Sequence, residues 1–173
     1  MSALYRIQQF ARAAGSWVRP AQIDAGPVSR YLSPAGIELF RAMPRYDQRH
    51  ALAVFHSLWA EGQKEPDLLV AALLHDVGKT WHPAGGVRLW HRVAAVLLRS
   101  LSPELLEQIS QDQPGSWRQP FFVQEHHAAI SAELAEQVGC GSRVVELIRR
   151  HEDPPGVEDD ALLSALKAVD SLN

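Results

Sequence analysis

A chain of 173 residues, 46% hydrophobic and 21% charged with a formal net charge of −3, has the length of one ordinary domain and can bury a core without staples. That balance gives no electrostatic reason to bind nucleic acid, and the apolar runs, such as Leu68 to Leu74, fall far short of the roughly 18 residues of a membrane span. The single cysteine, Cys140, excludes an intrachain disulfide and a thiolate metal cage, so a cytoplasmic protein is expected, with neither nucleic acid nor membrane as partner and with nitrogen and oxygen ligands for any metal.

Helical spacing dominates and no segment alternates with a period of two, which predicts an all-α fold. Leu4, Ile7, Ala11, Ala14 and Val18 predict a first amphipathic helix over about residues 3 to 15. With only Arg6 and Arg12 on its basic face, it is expected to dock on the core and not on a membrane. Residues 16 to 33 read as an irregular connector. Ser33 and Pro34 then cap and open a short helix that ends near Met43-Pro44. The next helix spans about Tyr46 to Glu61 and stops at Gly62, and Pro66 and Asp67 open the one carrying "LLHDVGKT", residues 73 to 80. Further helices are predicted at about 87 to 101, 103 to 111 (Ser102 cap), 120 to 138 (stopped by Gly139), 142 to 152 (Ser142 cap) and 158 to 172, with a surface loop from Asp112 to Gln119.

Helix phase selects among the eight histidines. His50 shares a face with Val54 and Leu58, His151 follows Val144, Leu147 and Ile148, and Asp170 follows Leu163 and Leu166. In "EHH", His127 continues the stripe of Val123, Ile130, Leu134 and Val138, whereas His126 falls toward Glu133. One inward histidine is more often a hydrogen-bonded core residue than a ligand. Inward carboxylates change that balance, because Asp76 and Asp170 need cationic compensation, and four histidines of matching phase suit a borderline divalent metal. His56, His82 and His91 show no such convergence and read as structural or surface residues.

The order His50, His75-Asp76, His127, His151, Asp170, set in "QRHALAV", "LLHDVGK", "HAAISAELA", "ELIRRHED" and "LKAVDSL", resembles the HD-domain superfamily of metal-dependent phosphohydrolases. The resemblance implies a helical bundle with a metal centre between its core helices, an HD domain over residues 45–173, and an N-terminal helical extension, residues 1–44, packed on it. It implies two divalent ions (Mn, Fe, Co, Ni, Zn or Mg), one held by His50, His75, Asp76 and Asp170, the other by His127 and His151, with Asp76 bridging. Lys79 is then either an anion contact beside the site or a cation complementing a helix C-terminus. Arg92, Arg149 and Arg150 are either phosphate contacts or solvated surface charges.

The implied activity is hydrolysis of a phosphate ester or anhydride, in a nucleotide or similar small phosphorylated substrate, by a metal-activated water, with Asp76 and Lys79 as catalytic residues. That covers phosphomonoesterase, phosphodiesterase and nucleotide pyrophosphohydrolase chemistry. Two alternatives stand beside it, a di-iron oxygenase on the same ligands and a regulatory module without turnover. The chain lacks the Gly-Tyr-Pro signature of cyclic-di-GMP phosphodiesterases after His151, and the HD pair is followed by Val-Gly-Lys where alarmone hydrolases carry Glu-Asp. It is most similar to bacterial HD hydrolases that cleave dinucleoside polyphosphates symmetrically.

Overall fold

The computed structural model describes residues 24–80 and 87–173. Among these, the chain forms nine α-helices, one 3-10 turn and no strand, the all-α fold that the periodicity predicts. The helix expected over residues 3 to 15 and the position of His82 lie outside the described residues. No helix among the described residues is long and apolar enough to cross a membrane.

Two compact units are present. In the larger one, Asp24–Gly86 with His126–Asn173, the order is α1 (Ala25–Tyr31), α2 (Pro34–Ala42), α3 (Arg45–Ala60), α4 (Pro66–Leu74) and a 3-10 turn (Val77–Thr80), followed after the other unit by α8 (Ser142–Arg150) and α9 (Ala161–Asp170). The other unit, Val87–Glu125 among the described residues, holds α5 (Leu89–Leu101) and α6 (Pro103–Ile109), which pack around Ala95, Leu106 and Phe121. The long helix α7 (Gln119–Gln137) contributes residues to both.

Helix α4 organises the larger unit. Its sequence PDLLVAALL is apolar nearly all round, the pattern of a helix enclosed on every side, and Leu68, Leu69, Ala71, Ala72, Leu73 and Leu74 are fully buried. Helices α1, α2, α3, α8 and α9 all pack against it. Each fully buried leucine contributes roughly 2 kcal/mol of hydrophobic stabilisation, so the segment is fixed by its neighbours more than by its own nine-residue helix.

The punctuation follows the expected chemistry with three differences. Gly62 and Gly139 adopt φ +85° and +82°, the left-handed conformation that glycine tolerates, and Gln63 N donates to Leu58 O while Cys140 N donates to Ala135 O, closing the ends of α3 and α7. Ser33 caps α2, its Oγ accepting from Gly36 N at 3.2 Å. The connector expected over residues 16 to 33 contains α1, because Asp24 accepts from Gly26 N and supplies a cap ahead of a run whose glycine and proline fall in the first turn, where both are tolerated. Gly141, not Ser142, is the N-cap of α8, and Ser102 makes no side-chain capping bond at α6. Asp160 caps α9, accepting from Leu163 N at 3.0 Å.

A close backbone approach seats the turn after α4. Gly78 N donates to Ser131 Oγ at 2.8 Å, and a Cβ on Gly78 would stand 2.5 Å from His127 O and 2.8 Å from Ser131 N. Gly78 does not have a positive φ, so the requirement is space and not dihedral freedom. Gly78→Ala is therefore expected to destabilise the fold by about 1–3 kcal/mol, the usual cost of overpacking, in chemical denaturation. An unchanged midpoint and slope would contradict the close approach.

A second local network fixes the segment between α8 and α9. The Asp159 carboxylate, 5% exposed, accepts from Lys167 Nζ at 2.8 Å, Arg150 Nη2 at 3.1 Å and Gly156 N at 3.1 Å. The Lys167 bond first, then the Gly156 N–H, hold its pKa below the ordinary 3.8. A depressed folded-state pKa stabilises above the unfolded value, and that contribution is lost as pH falls through the folded one. Asp159→Asn should therefore lower the melting temperature near neutral pH, with the gap to wild type narrowing as pH falls below the ordinary 3.8. A gap of constant size across that range would show that the charge is not what holds the segment.

Candidate metal centre

Five separate stretches of the larger unit bring six side chains together. His50 stands on α3 one face with the buried Val54 and Leu58, and its side chain is 26% exposed. His75 is the residue immediately after α4, in helical conformation, and Asp76 follows it before the 3-10 turn. His127 lies in α7, His151 directly after α8, and Asp170 ends α9. His75, Asp76, His127 and His151 are all buried.

The distances join them into one cluster. His50 Nε2 is 2.8 Å from Asp170 Oδ1 and 3.2 Å from His75 Nε2, and His75 Nε2 is itself 3.2 Å from Asp170 Oδ1. Asp76 Oδ1 stands 3.5 Å from His127 Nε2, 3.7 Å from His75 Nε2 and 3.9 Å from His151 Nε2. Asp76 thus lies between the His50–His75–Asp170 group and the His127–His151 pair. Its other oxygen, Oδ2, accepts from Lys79 Nζ at 2.7 Å.

Two of the rings are locked by the helices that present them. His75 Nδ1 is 3.0 Å from Ala72 O, and His151 Nδ1 is 2.6 Å from Ile148 O. A carbonyl can only accept, so in both rings Nδ1 carries the proton and Nε2 is the atom turned to the cluster. Both bonds reach back three residues, which is possible because each histidine sits on the last turn of its helix, where carbonyls have no intrahelical partner. Anchoring the far ring nitrogen on a carbonyl is also how metal-ligating histidines are oriented.

The electrostatics require positive charge. Burial opposes ionisation of Asp76, but Lys79, then His75, His127 and His50, hold its carboxyl well below the usual range. Partial burial likewise opposes ionisation of Asp170, and His75 and His50 hold its carboxyl well below the usual range. Burial alone would depress His75, yet Asp76 and Asp170 carry its pKa up to about 9. His151 goes the other way, to about 4, through burial and the neighbouring His75 and His127. Protons on some imidazoles and none on others are what this arrangement adopts when protons alone must balance buried carboxylates.

A divalent cation fits the donors better. Asp76 Oδ1 and His151 Nε2 are buried and make no hydrogen bond, an expensive state for an ionised oxygen and a bare ring nitrogen. The ligand atoms of His50, His75 and Asp170 lie within 4.8 Å of one another, as do those of His75, Asp76 and His151, and those of His127, His151 and Glu152. Imidazole nitrogen with carboxylate oxygen is a donor set for borderline and hard divalent ions.

Glu152 is the residue that phase reasoning missed. Its Oε1 lies 3.5 Å from His127 Nε2, and that pairing, against the effect of burial, brings its pKa down to about 2. It occupies a turn past the end of α8, where helical phase carries no information. The other candidate residues described in this unit are engaged elsewhere or exposed. Arg150 is turned onto Asp159, Glu146 and Asp153, at 3.1, 3.5 and 3.7 Å, and Arg149 is exposed. Arg92 belongs to the other compact unit. His56 is exposed beside Asp24, His126 is exposed, and His91 accepts from Arg88 N at 3.0 Å to cap α5.

No curated protein and no solved structure matches the chain significantly. The family model of the HD domain matches residues 48–173, which take in every residue of the cluster, from His50 through the His75-Asp76 pair to Asp170. With a helical fold, a buried histidine and aspartate cluster able to hold metal, and a match over well beyond half of its length, the chain belongs to the HD-domain family of metal-dependent hydrolases.

Proposed function

We propose that the protein is a two-ion phosphohydrolase acting on a nucleotide or a similar small phosphorylated molecule, by attack of water on a phosphate ester or anhydride. The observation that carries the reading is the convergence of His50, His75, Asp76, His127, His151 and Asp170, the middle four of them buried, with Asp76 Oδ1 and His151 Nε2 left without hydrogen bonds. In this reading His50, His75, Asp76 and Asp170 hold one ion, His127 and His151 hold the other, and Asp76 touches both. Residues 45–173 carry the activity, and residues 1–44 are an extension of that domain.

When bound, the ions supply Lewis acidity toward a phosphoryl oxygen and lower the pKa of water. The chain's own groups do the rest by position. The Nδ1 protons of His75 and His151, spent on Ala72 O and Ile148 O, keep both Nε2 lone pairs aimed at the cluster. Lys79 fixes Asp76 through Oδ2, leaving Oδ1 for the histidine side. With its side chain 12% exposed, the Lys79 ammonium is the cation best placed to meet an incoming phosphate, and the 3-10 turn seated on Ser131 holds it there. Arg149 is the further phosphate contact this reading retains, since Arg150 is engaged by three carboxylates.

Asp76→Ala is expected to abolish turnover and to remove both ions, whereas His151→Ala should lower chiefly the content of the second. Metal stoichiometry of the purified variants measures this, and equal loss in the two variants would contradict a shared carboxylate. A chelator should end phosphate release from nucleotide substrates, and Mn²⁺ or Co²⁺ should restore it with no need for oxygen. Phosphate release that continues from a protein shown by metal analysis to be ion-free would falsify the proposal. Restoration only by Fe²⁺ with oxygen consumption would instead identify an oxygenase.

A further inference from the structure

We infer that Glu152 is a direct ligand of the second ion, which then has His127, His151 and Glu152 as its own set and Asp76 as the shared group. The inference rests on the two-ion reading above and extends it by a residue outside the six. Glu152 Oε1 is 3.5 Å from His127 Nε2, and the ligand atoms of His127, His151 and Glu152 all lie within 4.8 Å of one another, a span that one ion can bridge. Among the described residues, Glu152 forms its ion pair with that histidine and with no lysine or arginine.

Charge supplies the second argument. Asp170 is within reach of His50 and His75, so the first ion would have one carboxylate of its own besides Asp76. Without Glu152 the second would have two neutral imidazoles and a share in Asp76, whose other oxygen is already engaged by the Lys79 ammonium. Two imidazoles and one carboxylate form a recurring protein site for divalent transition metals, and Glu152 completes it. The local chain makes the reach possible. His151 is pinned by Ile148 O at the end of α8, and the next residue leaves the helix, so two adjacent side chains can face one point. With its side chain 44% exposed, Glu152 stands at the solvent edge of the cluster, where a substitution leaves the packed core untouched.

The test is titration of the metal-free protein with Mn²⁺ alone, followed by calorimetry and by electron paramagnetic resonance of free ion. Wild type should bind two ions. Glu152→Gln, which keeps the shape and removes the charge, should retain the first and weaken the second by about 100-fold or more, at or beyond the upper end of the loss seen when outer partners of metal ligands are removed. Glu152→Asp should recover part of that affinity, and undiminished binding of the first ion in both variants shows that the fold is kept. If wild type binds two ions and Glu152→Gln binds both with unchanged affinity, Glu152 is not a ligand, whatever happens to turnover. If wild type binds fewer than two ions, the two-ion reading itself fails and takes this inference with it.

Discussion

The Asp76 carboxylate is buried among imidazole rings beneath a helix of leucine and alanine, and the rest of the site is arranged around compensating it. Moving an ionised carboxylate out of water costs several kcal/mol even after the surroundings relax. Lys79 offsets part of that through Oδ2. The Oδ1 side faces three histidine Nε2 atoms at 3.5–3.9 Å, beyond hydrogen-bond length and at spacings that a cation would bridge. The same pressure explains the opposed behaviour of two neighbouring histidines, His75 drawn to about 9 and His151 driven to about 4. Each responds to which charges surround it, and both bring the same nitrogen to the cluster.

Placing such a carboxylate reproducibly requires a scaffold that cannot yield, and α4 supplies it. An all-round apolar helix enclosed by five others fixes where the chain emerges at His75. The 3-10 turn that follows is set against α7 by the Gly78–Ser131 bond, in a space that admits no Cβ. Thus the pair His75-Asp76, the cation Lys79 and the backbone of His127 are positioned by one short stretch, and "HDVGK" is a unit for packing reasons as much as chemical ones. His151 and Asp170 arrive by a parallel device, each at the terminal turn of a helix whose apolar face is buried.

Much of this was legible in the sequence because helical period and helix stops are local properties. His50, His127, His151 and Asp170 continue apolar stripes whose Val54, Leu58, Val123, Leu134, Leu147 and Leu166 are buried, and Gly62 and Gly139 end their helices through left-handed backbone that few other residues accept. Legibility failed where the governing contact is not local. Helix α1 is hidden by the Gly and Pro of its first turn, which read as a connector until Asp24 is seen to cap it. The engagement of Arg150 by Asp159 depends on a turn whose path no periodicity encodes. Glu152 escaped for the same reason, standing one residue past the C-cap His151, where its direction is set by the chain's exit and not by phase.

If one carboxylate, Asp76, joins two ions in this cluster, anomalous diffraction from crystals of the Mn²⁺-loaded protein will locate both beside it. Two anomalous peaks are expected, one among His50, His75 and Asp170, the other beside His127 and His151, with Asp76 in contact with both. A single peak, or two peaks of which Asp76 touches only one, would contradict that bridging role.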